Sequence, residues 1–175
     1  VDAAYASAAK AFDGEWGEST PSERQSALLK FADAIEARAD EFVRLEAENT
    51  GKPFALTATE EVPVMCDQLR FFAGAARVLE GRASAEYMAG HTSWIRREPI
   101  GVVGQIVPWN YPFMMLIWKV GPALAAGNTV VLKPSANTPE SAIVFAEIAG
   151  EILPPGVFNL VLGTGETGRL MSAHP

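Results

Sequence analysis

Cysteine is nearly absent from this chain. Cys66 stands alone, so no intramolecular disulfide can form and a reducing, cytoplasmic setting is expected. Histidine is almost as scarce. His91 and His174 lie far apart without nearby partners, which leaves histidine-based metal or acid–base chemistry without a basis. Positive charge is short as well. Fourteen Lys and Arg against 21 Asp and Glu leave a formal net charge of −7, so neither nucleic acid nor an anionic membrane surface is an expected partner. Long apolar runs are missing too. The longest, around 113–118, is broken by Lys119 and then Gly121-Pro122, too short to span a bilayer. The opening Val1-Asp2-Ala3-Ala4 does not read as a secretory leader. What is there is 175 residues with 49% hydrophobic and 20% charged content, the profile of a globular chain with enough mass for a real core.

The pattern divides the chain in three. Residues 1–82 read as helical throughout. Thr20-Pro21-Ser22-Glu23 is a helix start, with a capping threonine, proline at the first position and glutamate at the third. Leu28, Leu29, Phe31, Ala32, Ile35, Phe42 and Leu45 follow at helical spacing, until Gly51 and Pro53 mark an end. A further helix is predicted over 60–79, with Leu69, Phe72, Ala73 and Ala76 on one face. Residues 83–98 are too short and mixed for another helix. With Gly90 as the turn they predict a projecting β-hairpin, an arm suited to oligomer contacts. From Pro99 the order is strand (100–107), helix (111–126), strand (129–132), helix from Thr138-Pro139, and strand (157–162). Gly127-Asn128 stops the first of these helices. Ala142, Phe145, Ala149 and Ile152 form the inner face of the second, which Thr138 caps. The fold class is therefore α/β: a helical layer plus a right-handed parallel βαβαβ half of a doubly wound, Rossmann-like sheet.

Two strand-to-helix junctions carry the chemistry. The first is Ile106-Val107-Pro108-Trp109-Asn110-Tyr111-Pro112. The second, Lys133-Pro134-Ser135, begins 23 residues after the asparagine. In an open α/β sheet both fall on the carboxyl edge, where ligands bind. A neutral amide and a cation at that edge point to an oxyanion donor and a nucleotide contact. Asn110 would equally serve as a helix N-cap, and Lys133 as a solvated lysine at a strand end. Gly163-Thr164-Gly165-Glu166-Thr167-Gly168 matches G-x-G-x-x-G, but it follows the third strand, and no acidic residue lies some 20 positions later before Pro175. It reads either as an ordinary Gly-rich turn or as a phosphate contact.

Pro108-Trp109-Asn110-Tyr111-Pro112, Trp118-Lys119, the run from Gly121-Pro122 to Gly127-Asn128-Thr129, and Val131-Leu132-Lys133-Pro134-Ser135 resemble the aldehyde dehydrogenase superfamily. So do Thr138-Pro139 and Pro154-Pro155-Gly156-Val157-Phe158-Asn159, and the resemblance covers essentially the whole chain. Leu69-Arg70-Phe71-Phe72-Ala73-Gly74 and Gly90-His91-Thr92-Ser93 with Ile95-Arg96-Arg97 are most similar to 4-aminobutyraldehyde dehydrogenases, enzymes of polyamine breakdown.

The resemblance implies an NAD(P)-dependent oxidation in which a cysteine thiolate forms a thiohemiacetal with the aldehyde. Asn110 would donate its amide to the developing oxyanion. Lys133, with Ser135, would hold the adenosine ribose, and Ile106, Val107, Pro108 and Trp109 would line the cofactor cleft. Gly165 and Gly168 would let the adenine side approach. Tyr111, Met114 and Trp118 match positions lining the aldehyde tunnel, though as bare pattern they are helix core. Glu61 matches a region where aminoaldehyde-oxidising relatives place acids for the substrate ammonium, and a solvated carboxylate is the competing reading.

The implied domain map is 1–82 as the helical part of the cofactor-binding domain, 83–98 as an oligomerisation hairpin, and 99–175 as the βαβαβ part. A homodimer or homotetramer is implied. Many NAD-preferring members carry an acid three positions after the lysine, where this chain has Ala136. NAD is favoured, with NADP possible. The family's nucleophilic cysteine and general-base glutamate lie downstream of the Gly-rich turn. Cys66 precedes the whole cofactor unit and is expected to be a buried structural thiol, so this stretch alone is expected to be inactive; the alternative is a non-catalytic nucleotide-binding or oligomerisation module.

Overall fold

The architecture, described for residues 1–175 by a computed structural model, is organised around a parallel sheet. Its strands β3 (Val102–Ile106), β4 (Thr129–Lys133) and β5 (Phe158–Leu160) lie side by side in chain order. The crossovers are α6 (Pro112–Ala125) and α7 (Glu140–Ile152). Val102 pairs with Thr129 and Ile106 with Lys133, so the first two strands end at the same level. β4, the middle strand, is buried along its whole length, and its alternation divides the core. Val130 and Leu132 face the main cluster, while Val131 faces Ala8 and Met171 of α1 (Asp2–Phe12) and α8 (Gly165–Ser172). β5 is shorter than the expected 157–162. Backbone bonds from Val130 N to Val157 O and from Val161 N to Leu132 O carry its pairing one residue beyond each end.

The helical layer packs against the first of these faces. α2 (Pro21–Ala37) opens on the expected capping box, with Glu23 N donating to Thr20 Oγ1 and Thr20 N to a Glu23 oxygen. The helix does not run on to Gly51 as its periodicity implied. It breaks at Arg38, whose amide bonds back three residues to Ile35 O, and α3 (Ala39–Thr50) starts afresh. Burial of Phe42 and Leu45 survives the break, so spacing alone did not expose it. α3 ends as expected at Gly51, at φ 76°, where a side chain would be strained.

The helix expected over 60–79 begins earlier. α4 (Phe54–Leu56) leads into a π-helical turn, Thr57–Glu61, and then α5 (Val62–Arg77). Pro63 accounts for the turn: it has no amide to donate and its ring crowds the carbonyl four residues back, so the ladder widens just ahead of it.

The aromatic centre joins both halves of the chain. Phe42 stacks on Phe113 at 4.4 Å and Phe31 on Phe145 at 4.9 Å, with Phe158 edge-on to Phe145. The expected hairpin is present as β1 (Arg82–Met88) and β2 (His91–Ile95), turning at Gly90 with φ 75°. Tyr87, Met88 and Trp94 are exposed on it. No helix is long and apolar enough to cross a membrane.

One expected cap is replaced. The Thr138 hydroxyl is buried without a partner, and the first amide of α7, Glu140 N, donates instead to Asn49 Oδ1 from α3 at 3.2 Å. The inner face of α7 is as expected, with Ala142, Phe145 and Ala149 buried and Ile152 half-buried.

Asn128 ties the start of β3 to the end of α6. Its Oδ1 accepts from Ile100 N (2.8 Å) and Gly101 N (3.1 Å), its Nδ2 donates to Ala123 O, and its carbonyl accepts from Trp16 Nε1. Asn128→Ala leaves two backbone amides unpaired. It is expected to cost about 2–4 kcal/mol, read as a lower urea midpoint at unchanged slope. A midpoint within experimental error of the parent would show that these bonds hold nothing.

Candidate functional site

Three segments distant in sequence meet at the carboxyl edge of the sheet. Ile106 and Lys133 are register partners, and Val107 N donates to Lys133 O at 3.1 Å. Gly168 backs onto both. A Cβ there would lie 3.6 Å from Ile106 Cδ1 and 3.7 Å from Lys133 Cδ. Lys133 is not the solvated lysine its position allowed: it is buried, and Nζ donates to Pro134 O at 2.9 Å. Ser135 Oγ accepts from Asn137 N in a tight turn, and Ala136 is exposed beside it. Gly165 opens α8, whose N-cap Thr164 supplies no side-chain cap, and no atom lies within 4 Å of where a Cβ on Gly165 would sit. The edge thus combines a buried cation, an uncapped helix start and small residues, which suits an anionic, flat ligand approached by backbone.

The first junction leads from this edge into a cleft of about 310 Å³ between the π-helical turn and α6. Val107 is buried, whereas Pro108, Trp109 and Asn110 are exposed. Tyr111, not Asn110, is the N-cap of α6, so the helix-cap reading of Asn110 gives way. Asn110, Tyr111, Met114 and Trp118 line the cleft together, with Trp118 46% exposed. The reading of Tyr111 and Trp118 as helix core is thereby corrected: Tyr111 precedes α6, Trp118 lies on its exposed side, and Phe113, Leu116 and Ile117 take the core. Leu56, Glu60 and Met115 line it as well. Sequence reasoning missed them. Met115 adjoins the recognised Met114, but Leu56 and Glu60 owe their place to the π-helical turn, which no periodicity announced.

Glu61 is also in this lining, and it is not a solvated carboxylate. It is 1% exposed, and its Oε1 accepts from Lys52 Nζ at 2.6 Å. Oε2 has no partner. Lys52 Nζ also stands 3.9 Å over the centre of the Tyr111 ring, a cation–π contact. A second acid lies behind. Glu46 is fully buried on α3, Oε2 accepting from Phe113 N at 3.4 Å and Oε1 unpartnered. Burial raises its pKa above the ordinary value, an effect only partly offset by Ser141, Phe113 N and Lys52. Cys66, on α5, is buried as expected, and burial raises its thiol pKa too, so it is no thiolate nucleophile at neutral pH.

The sequence model of the aldehyde dehydrogenase family matches residues 1–175, and the chain belongs to that family. Among curated relatives it is 44% identical, over its full length, to acetaldehyde dehydrogenase 2 of Cupriavidus necator, covering 34% of that protein. The chain therefore spans about a third of the length of the relatives it matches. Among solved structures, the NAD+ complex of aldehyde dehydrogenase from Bacillus cereus superposes with a TM-score of 0.94 at 39% identity, over 99% of this chain and 36% of that one. The gamma-glutamyl-gamma-aminobutyraldehyde dehydrogenase of Burkholderia cenocepacia gives 0.93 at 43% identity, over 99% and 35%. The α/β fold expected from the sequence is thus the fold of these enzymes over the matched third.

The state of Glu46 has a measurable consequence. Its folded pKa is raised, so the unfolded chain releases this proton first as pH rises. Its contribution to stability is whole below the unfolded value near 4.5 and is lost as pH rises through the folded value. Glu46→Gln removes that loss. The stability of the Gln variant relative to the parent is expected to increase between pH 4 and pH 8, measured by paired denaturant titrations. A difference that stays constant with pH would mean that burial does not raise the Glu46 pKa.

Proposed function

We propose that this chain is the cofactor-binding front part of an NAD(P)-dependent aldehyde dehydrogenase that oxidises a small aldehyde to its carboxylic acid through a cysteine thiohemiacetal. The observation that carries the reading is the placement of Asn110. Its amide stands exposed in the α6 cleft, four residues past Ile106, which ends β3 beside Lys133 and Gly168. An uncharged donor there stabilises an oxyanion without a proton to lose. Lys133 and Ser135 are the residues to hold the adenosine ribose, Ile106, Val107, Pro108 and Trp109 to wall the cleft, and Gly165 and Gly168 to admit the adenine side. The open space at Gly165 and the close fit of Gly168 on Lys133 favour such a ligand. When bound, NAD accepts the hydride. Ala136 neither binds a ribose 2′-hydroxyl nor repels a 2′-phosphate, so NADP is tolerated in this reading and NAD preferred.

The aldehyde is 4-aminobutyraldehyde or a similar cationic aldehyde, held along Tyr111, Met114 and Trp118. Support comes from the acids at the end of that cleft: Glu60, and Glu61 with its unpartnered Oε2. The chain works in a cytoplasmic homodimer or homotetramer, with the β1–β2 hairpin as the contact arm, and is inactive without the catalytic residues its family carries elsewhere.

Two measurements on the full-length enzyme carrying this chain test the reading. Asn110→Ala should lower kcat for aldehyde oxidation by about 10²–10³, and a fall below about tenfold would remove the oxyanion role. Glu61→Gln should lower kcat/KM for 4-aminobutyraldehyde roughly tenfold more than for butanal, about 1.4 kcal/mol of selectivity. Equal losses on both substrates would leave Glu61 as a structural partner of Lys52.

A further inference from the structure

α6 begins without a cap of its own, because its N-cap Tyr111 offers the first turn no side-chain acceptor. The leading amides of a helix need partners. One is supplied from outside. Glu46 Oε2 accepts from Phe113 N, three residues beyond Asn110. A second hold comes from the far end of the same α3 helix. Lys52, just past Gly51, sits over the Tyr111 ring while paired to Glu61 at 2.6 Å. Both the residue next to Asn110 and the amide two positions further on are therefore tied to α3 and its exit.

The arrangement is costly. Glu46 is fully buried with Oε1 unpartnered, and an apolar side chain of the same volume would pack there without that penalty. The compensation lies in aim. An oxyanion donor is useful only when held within roughly 0.5 Å of its working position, and a displacement of about 1 Å can cost on the order of a hundredfold in rate.

We propose that Glu46 is a positioning residue for Asn110: it caps α6 from outside at Phe113 and, with Lys52 seated on Tyr111, fixes the backbone that presents the Asn110 amide to the cleft. This rests on Asn110 being the oxyanion donor. It adds that the acceptor oxygen of Glu46, not its charge, is what the reaction uses.

The test is a double-mutant cycle in the full-length enzyme, with NAD and butanal as probes and rates referred to titrated active sites. Glu46→Met removes the acceptor at nearly constant volume. It is expected to lower kcat about tenfold, with the KM for butanal changed less than about twofold. In the Asn110→Ala background the same change is expected to lower kcat less than about twofold, because no donor is left to aim. Glu46→Gln, which keeps the acceptor, should hold kcat within about threefold of the parent. Equal fold-losses from Glu46→Met in both backgrounds would overturn the proposal while leaving the oxyanion role standing. If instead Asn110→Ala alone leaves kcat unchanged, the oxyanion role falls and the proposal with it. Should Glu46→Met fail to fold, Glu46→Gln decides: a kcat lowered tenfold or more at unchanged KM contradicts the proposal.

Discussion

The register of β3 against β4 is the constraint on which this site depends. Ile106 stands opposite Lys133 at the last rung of the ladder, so the chain leaves the sheet twice at one level. One exit leads to Asn110 and the other to Ser135. A slip of one residue would turn Lys133 to the opposite face and carry it away from Gly168. Register is enforced from both sides of β4, by Val130 and Leu132 in the main core and by Val131 against α1 and α8. The apolar alternation that stabilises the sheet is therefore also what sets Lys133 level with Ile106, from which the chain runs on to Asn110.

The helical layer does more than cover that sheet. Its aromatic residues lock α6 in place through Phe42 on Phe113, and its polar residues reach the start of the same helix through Glu46 and Lys52. Pro63 adds a wall. By forcing a π-helical turn it carries Glu60 and Glu61 to the cleft beneath Trp118 and Met114. Packing, a local irregularity and buried charge thus converge on one short stretch, 110–113. Such concentration of unsatisfied polar atoms and irregular backbone is what a ligand site adds to a fold whose stability comes from elsewhere.

Much of this was legible in the residues, and for identifiable reasons. Strands β3 to β5 and their crossovers announce themselves because Gly127-Asn128 and Pro154-Pro155-Gly156 punctuate apolar runs of the right length. The capping box at Thr20 and the Gly90 hairpin are local signals that local geometry obeyed. What escaped is non-local. Arg38 breaks a helix without disturbing its buried face. Thr138 loses its capping role to Asn49, a residue 91 positions away from the amide it caps. Lys133 and Glu61 are polar residues with every local reason to be solvated, and each is buried by a partner that spacing does not reveal. Asn110 and Lys133 were found by position at strand ends, while the roles assigned to them came from motifs shared with a family.

A dinucleotide site at the edge formed by Ile106, Lys133 and Gly168 is open to direct titration. NAD binding to the full-length enzyme should be measured by calorimetry for the parent and for Lys133→Met. Loss of a charge-assisted hydrogen bond predicts that Kd rises by about 10- to 100-fold. An unchanged Kd, with the variant folded and binding at the same stoichiometry, would contradict such a site and move the cofactor away from this edge.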